Sequence, residues 1–311
     1  MITEPEMLER LRNGTPVERP EDMSPVYLRE LKRTLLISAD TEFLGAVMHW
    51  PNLVAKRVPL QYQGTLLAII QDELGHAHID YRLLEELGED IDALIYERPP
   101  REFKHPYAMD MPYENFAESV VIGAFMDRAG FILLSDIFEH TSYLPWRRAL
   151  VKVNKEEHFH LHFGERTMRR LAADVSTRAD LQRAIDWMFP MTVEWFGLPD
   201  HLKTHDTQLE YHLKGLTNDQ LRQRWLAQVV PLVTELGLTV PAHHDASRQA
   251  YVLDFHLPCA FDEEAKRWAL DTPVAWQDVI SRWKRRGPRN QELIGVMQSG
   301  RRGLQALRRA A

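Results

Sequence analysis

Apolar positions in the first 175 residues recur every three to four residues, over four stretches long enough to be helices. Between Tyr27 and His49 the stripe runs through Leu31, Leu35, Ser38/Ala39, Glu42 and Gly45/Ala46, and Pro51 and Pro59 then bracket a turn. From Leu60 to Leu87 it passes Leu66, Ile69/Ile70, Glu73, His76/Ala77, Tyr81 and Leu84, with Gly88 placed to cap the end. Residues 88–112 hold Pro99, Pro100, Pro106 and Pro112 and read as a long connection. A third helix is expected over 114–140, a turn at Thr141-Ser-Tyr-Leu-Pro145, and a fourth helix over 146–172.

Two long helical hairpins joined by one long crossover predict an all-α, ferritin-like four-helix bundle. The expected division is an N-terminal arm at 1–25, kept out of the core by its charge and proline, the bundle at 26–175, and a helical extension at 176–311. In the extension, Thr217-Asn-Asp opens a helical run to Leu236 that Pro231 interrupts, and 240–259 reads as irregular. Residues 282–309 carry Arg282, Lys284, Arg285, Arg286, Arg289, Arg301, Arg302, Arg308 and Arg309 against the single acid Glu292. Such a run is either a solvated face or a docking surface for an acidic partner or ligand.

Composition narrows the class. A 44% hydrophobic content supports a sizeable core, while a mean hydropathy of -0.37 comes with no apolar run near the ~20 residues a membrane span needs. The opening Met1-Ile-Thr-Glu-Pro-Glu has no basic or apolar leader, and the lone Cys259 cannot form an internal disulfide, so a cytoplasmic protein is expected. A net charge of -7 argues against a nucleic-acid partner.

The chemistry lies on the helical stripes. Carboxylate and imidazole at Glu-x-x-His spacing share one helical face and can share a metal ion. With 25 Glu and 14 His, chance predicts roughly one match; the chain has three, at Glu73/His76, Glu102/His105 and Glu157/His160. The second falls in the proline-rich connection and is set aside as coincidence. The other two sit on apolar stripes, where an unpaired charge is costly to bury. Each has an upstream partner on the preceding helix, Glu42 for Glu73 and Asp127 for Glu157, and each pair is centred on its hairpin turn. Four carboxylates and two histidines therefore converge at one level, the pattern of a carboxylate-bridged dimetal site. Such ligands suit iron or manganese, and two iron ions are the choice for oxygen chemistry. A buried salt-bridge network is the alternative, but no Lys or Arg lies on these stripes to balance the acids. Asp72 and Glu156 point roughly 100° away around their helices; they are at best outer partners of the ligands, and surface acids are the preferred reading. His78, His158 and His162 read as ordinary polar histidines.

As a set, Gln71-Asp-Glu-Leu-Gly-His76, Thr141-Ser-Tyr143, Lys155-Glu-Glu-His-Phe-His160, Thr217-Asn-Asp-Gln-Leu-Arg-Gln-Arg224 and Leu236-Gly-Leu-Thr-Val-Pro241 resemble the catalytic alpha subunits of bacterial phenylacetyl-CoA epoxidases. The likeness runs from about Met23 to Pro241 and returns in Arg286-Gly-Pro-Arg-Asn-Gln-Glu292. It implies an enzyme, the oxygen-activating diiron subunit of a multicomponent monooxygenase that epoxidises the ring of an aryl-CoA thioester with O2. It also implies a homologous metal-free helical subunit, a small accessory subunit, and electrons from a separate NAD(P)H-dependent flavin and iron–sulfur reductase. The implied metal ligands are the six already reached, Glu42, Glu73, His76, Asp127, Glu157 and His160. Glu73 and Asp127 are implied as the catalytic pair, and Arg33, Lys104, Lys214 and Asn218 as the coenzyme A contacts.

The chain departs from the family at Ile69, where a lysine is expected near the metals, and around His49–Trp50, where an acid is expected. It departs again at Leu133 for an asparagine and at Ile37 for a glutamine. The surroundings of the site are thereby more apolar. A diiron oxygenase of a different, non-CoA substrate and a metal-binding subunit without turnover remain as alternative readings.

Overall fold

The computed structural model describes residues 1–55 and 57–310, the last eight by backbone alone. The chain is all-α in class, with ten α-helices in chain order among the described residues. These are α1 (Glu4–Arg12), α2 (Pro25–Val54), α3 (Leu60–Glu86), α4 (Phe116–His140), α5 (Leu144–Ala173), α6 (Val175–Trp195), the single turn α7 (Thr207–Glu210), α8 (Asn218–Glu235), α9 (Trp276–Arg285) and α10 (Asn290–Ala310).

Helices α2 and α3 form one hairpin and α4 and α5 the other, with α3 packed on α5, the arrangement of a ferritin-like bundle. Local chemistry starts each helix where the sequence permits. Ser24 accepts from the Tyr27 amide with Pro25 in the first turn of α2, and Asn115 accepts from the Glu118 amide at α4. α2 continues past Pro51 to Val54, since the first bracketing proline is held inside the last turn. The Thr141-Ser-Tyr turn is clamped at Ser142, whose hydroxyl bonds the Tyr27 hydroxyl (2.8 Å) and whose carbonyl accepts from the Val17 amide (2.8 Å).

α4 and α5 touch through glycine. A Cβ on Gly164 would stand 2.6 Å from the Gly123 carbonyl carbon, so the backbones meet with no side chain between them. This pair lies one turn from Asp127 on α4 and from His160 on α5, and it sets the helix spacing at the level of the acids.

Three readings of the sequence are corrected here. Residues 1–25 are not a loose arm: Met7, Leu11, Val17 and Met23 are buried in the main core. The extension is not helical throughout, because two antiparallel hairpins interrupt it, β1 (Ala242–Asp245) with β2 (Ala250–Leu253) and β3 (Cys259–Asp262) with β4 (Arg267–Pro273). The second hairpin is pinned to the bundle, with Lys266 bonded to the buried Glu118 and the Trp268 indole donating to the Trp187 carbonyl at 2.8 Å. The basic run is not wholly a solvated face: five of its arginines pair with acids of the chain, while Lys284 and Arg302 stay exposed. Arg282 pairs with Glu194, Arg285 with Glu263, Arg286 with Asp110, Arg289 with Glu292, and Arg301 with Asp92. The side chains of Arg308 and Arg309 lie outside the described residues. Among the described residues no helix is long and apolar enough to cross a membrane.

Candidate metal centre

Each bundle helix delivers its acid to one level: Glu42 from α2, Glu73 and His76 from α3, Asp127 from α4, Glu157 and His160 from α5. Donor atoms of Glu42, Glu73, His76 and Glu157 all lie within 4.8 Å of one another. His76 Nδ1 stands 3.3 Å from Glu42 Oε2 and 3.1 Å from Glu157 Oε1. His160 Nδ1 stands 3.2 Å from Glu73 Oε1 and 3.5 Å from Glu157 Oε1, and the two rings are 5.9 Å apart. Asp127 stands outside the tight group of four but faces the same small cavity of about 40 Å³ as Glu42, Glu73 and Glu157.

The electrostatics are those of a site short of positive charge. Burial alone would lower the His76 imidazole, yet Glu157 and Glu42 against it push it up to about 11. Burial likewise opposes His160, and Glu157 and Glu73 push it up to about 12. Burial raises Glu73 well above the usual carboxylate range, with Glu157 and Glu42 adding to it, and raises Asp127 in the same way beside Glu157. Glu157 goes the other way: burial would raise it, but His160 and His76 bring it down to about 2. Among the described residues every ion pair made by these six groups is with a histidine, none with Lys or Arg.

The residues fit a metal pair on an observation independent of charge. Glu157 Oε1 and His160 Nδ1 are buried and have no well-formed hydrogen bond, although an orphaned buried acceptor costs about 1–3 kcal/mol. Both atoms point into the cluster. The opposite ring nitrogens are engaged elsewhere. His76 Nε2 bonds Glu156 Oε2 at 2.9 Å, and His160 Nε2 bonds Asp72 Oδ2 at 3.3 Å. Asp72 and Glu156 are thus not free surface acids, as the helical wheel suggested. Each reaches the histidine of the facing helix and turns its Nδ1 inward, as outer carboxylates do around metal-bound histidines.

The sequence departures also surround the site. Ile69 is buried, and Leu133 and Ile37 line an apolar cavity of about 280 Å³ that reaches Glu42. His49 is buried in the metal cavity with its imidazole lowered to about 4 by burial and by His160. It sits two turns beyond Glu42 on the same face, a spacing that could have singled it out.

The four coenzyme A candidates do not form one cluster. Lys214 and Asn218 line the apolar cavity, with Lys214 Nζ 2.9 Å from Asn218 Oδ1 and 3.5 Å from Asp206 Oδ2. Burial lowers the Lys214 ammonium below the ordinary lysine range. Arg33 and Lys104 line a second cavity of about 640 Å³. The two cavities adjoin at Ile37, Thr41 and Trp195. Sequence reading missed Lys203 in the first and Arg101 in the second, which Lys284 and Arg286 of the basic run also line. Glu102 and His105 are no metal pair, since His105 Nε2 is bonded to the buried Asp110 at 2.5 Å.

Residues 5–258 match the family described as phenylacetic acid catabolic protein. Over 296 residues the chain is 29% identical to the A subunit of the 1,2-phenylacetyl-CoA epoxidase of Escherichia coli (strain K12), covering 94% of this chain and 90% of the relative. It is also 29% identical over 177 residues to the C subunit of the same organism's epoxidase, covering 55% of this chain and 68% of that relative.

Proposed function

This chain belongs to the phenylacetic acid catabolic protein family, and we propose that it is the oxygen-activating, diiron-carrying subunit of a multicomponent monooxygenase. Its substrate in this reading is an aryl-CoA thioester such as phenylacetyl-CoA, epoxidised on the ring. The observation that carries the proposal is the buried cluster of four carboxylates and two histidines at the foot of an apolar cavity, with Glu157 Oε1 and His160 Nδ1 turned inward and lacking a well-formed hydrogen bond. Glu42, Glu73, His76, Asp127, Glu157 and His160 would hold two iron ions. When bound, the irons supply the activation of O2 that organic side chains lack.

The chain's own residues do the rest. Asp72 and Glu156 fix the histidine rings. Leu133, Leu134, Ile137, Trp146 and Phe196 give the ring an apolar seat and exclude water from it. Lys214 and Asn218 on one side, and Arg33 and Lys104 on the other, offer charge-assisted bonds to phosphate. Glu73 and Asp127 are assigned as the catalytic carboxylates, since both line the metal cavity.

Residues 26–175 would be the diiron unit and 176–311 its extension, in a cytoplasmic complex. Its partners would be a metal-free helical homologue, a small accessory subunit and an NAD(P)H-dependent flavin and iron–sulfur reductase. The apolar replacements at Ile37 and Leu133 favour a second reading, the same diiron chemistry on a different substrate.

Three measurements test the proposal. Anaerobic reconstitution with Fe(II) should give two irons per chain, lost in a His76→Ala, His160→Ala double variant. Aerobic turnover with a reductase should add one oxygen atom to phenylacetyl-CoA by mass spectrometry. In calorimetry a Lys104→Ala, Lys214→Ala variant should bind the ester on the order of 100-fold more weakly, with iron content unchanged. Wild-type binding of free phenylacetate as tight as that of the ester would overturn the CoA assignment.

A further inference from the structure

Three cavities meet in the wall of the bundle: the metal cavity of about 40 Å³, the apolar chamber of about 280 Å³ and the basic chamber of about 640 Å³. Thr41 and Trp195 are the two residues that line all three. Thr41 is fixed on α2, its hydroxyl donating to the Ile37 carbonyl at 2.7 Å. Trp195 ends α6, half-buried, with its indole edge-on to Phe196 at 5.2 Å.

The backbone around Trp195 is held firmly. Arg222 donates to the carbonyls of Val193 (3.2 Å) and Gly197 (2.6 Å), and Asn218 Nδ2 donates to the Leu198 carbonyl at 3.0 Å. Gly197 follows at φ +86°, a conformation that lets the chain turn away at once. The indole is therefore a plate on a rigid mount, standing where the three spaces join.

We infer that Trp195 is the specificity-determining partition of the substrate path. The inference rests on the CoA reading above. A ligand whose phosphates sit near Arg33 and Lys104 and whose ring sits in the apolar chamber must cross the line Ile37–Thr41–Trp195. A slim, flexible thioester arm passes there; a wide group does not. At the inner end the same indole stands where the ring's seat adjoins the metal cavity and limits how large a ring the chamber takes. An aromatic plate of this kind presents roughly 150–250 Å² of contact surface, so its removal joins spaces that the wild-type protein keeps apart.

The test is a size profile. Binding of phenylacetyl-CoA, 2-naphthylacetyl-CoA and free CoA is measured by calorimetry on the full chain, for wild type, Trp195→Ala and Trp195→Phe, with iron content and thermal melting alongside. Wild type should prefer the phenyl over the naphthyl ester by roughly tenfold or more. Trp195→Ala should erase that preference, and Trp195→Phe should fall between. A general structural defect would weaken all three ligands together and leave the ratio intact. Should Trp195→Ala fail to fold, the Phe variant decides by the same ratio. An unchanged ratio in the folded variants overturns the partition and leaves the CoA reading standing. No binding of any CoA ester to wild type overturns the CoA reading itself, and the partition with it.

Discussion

A methyl group added at Gly45 would stand 2.9 Å from Glu73 Oε2 and 3.4 Å from its carboxyl carbon. Carbon and oxygen at van der Waals contact need roughly half an ångström more than that, so Gly45→Ala must push the Glu73 carboxylate back. Without metal this is cheap, because the side chain can rotate. The helix interior also gains up to ~1 kcal/mol from replacing glycine by alanine. The metal-free variant should therefore melt at or slightly above the wild-type temperature, by no more than ~2–4 °C. With metal the same shift is costly, since ligand distances tolerate only about ±0.2 Å. Iron affinity should fall on the order of tenfold or more, and each tenfold removes about 1.4 kcal/mol of the stabilisation that iron confers. The assay is thermal melting in chelator and in graded anaerobic Fe(II), with colorimetric iron counts. Wild-type iron affinity in the variant would refute the role of Gly45 in seating Glu73. So would a metal-free form melting well below wild type, which would show Gly45 to be needed for packing instead.

Gly164→Ala places its Cβ 2.6–2.7 Å from α4 backbone atoms, whereas a Cβ on Gly123 meets nothing closer than 3.4 Å. Melting should drop for Gly164→Ala by about 1–3 kcal/mol and be nearly unchanged for Gly123→Ala; equal effects would contradict the close helix contact. Asp72→Ala and Glu156→Ala should each lower iron affinity roughly 10–100-fold while chelator-stripped melting stays near wild type. Wild-type iron affinity in both would show that the outer carboxylates do not orient the histidines.

The six proposed ligands were legible because each hairpin obeys a simple symmetry. Glu42 and Glu73 flank one turn and Asp127 and Glu157 the other, and all lie on stripes whose period a single helix sets. The outer ring was not legible. That Glu156 meets His76, and Asp72 meets His160, depends on the antiparallel register of α3 against α5, which no one helix encodes. The first 25 residues misled because their buried side chains are few, Met7, Leu11, Val17 and Met23, among many charges. The two β-hairpins did leave a signal. His244-Asp245 and Phe261-Asp262 each lead into a four-residue connection, with the aspartate accepting turn amides, and each second strand has leucine as its fourth residue with aspartate after it, at Leu253-Asp254 and Leu270-Asp271. The repeat is visible in the sequence, though its strands are too short for alternation to reveal them.

The basic run near the C-terminus connects this lesson to the site. Apart from Glu292, its acids lie far away in sequence, so charge counting along the chain could not find them. Asp110 is fully buried, and it is held by His105 Nε2 at 2.5 Å, by Arg286 at 2.7 Å and by the Gly287 amide at 3.0 Å. Only glycine fits at 287, because a Cβ there would meet Asp110 Cβ at 2.5 Å. Glu194 is equally buried and is held by Arg282 and by the Trp283 indole. Removing one partner of a buried ion pair costs about 3–5 kcal/mol, and these two anchors straddle the substrate path. Asp110 fixes the crossover strand that carries Pro106 and Met109 into the wall of the metal cavity and Phe103 and Lys104 into the basic chamber. Glu194 fixes the residue directly before Trp195. In the proposed reading Arg282 and Arg286 thus lock the two segments between which a substrate would pass, and Arg286 also lines the basic chamber itself.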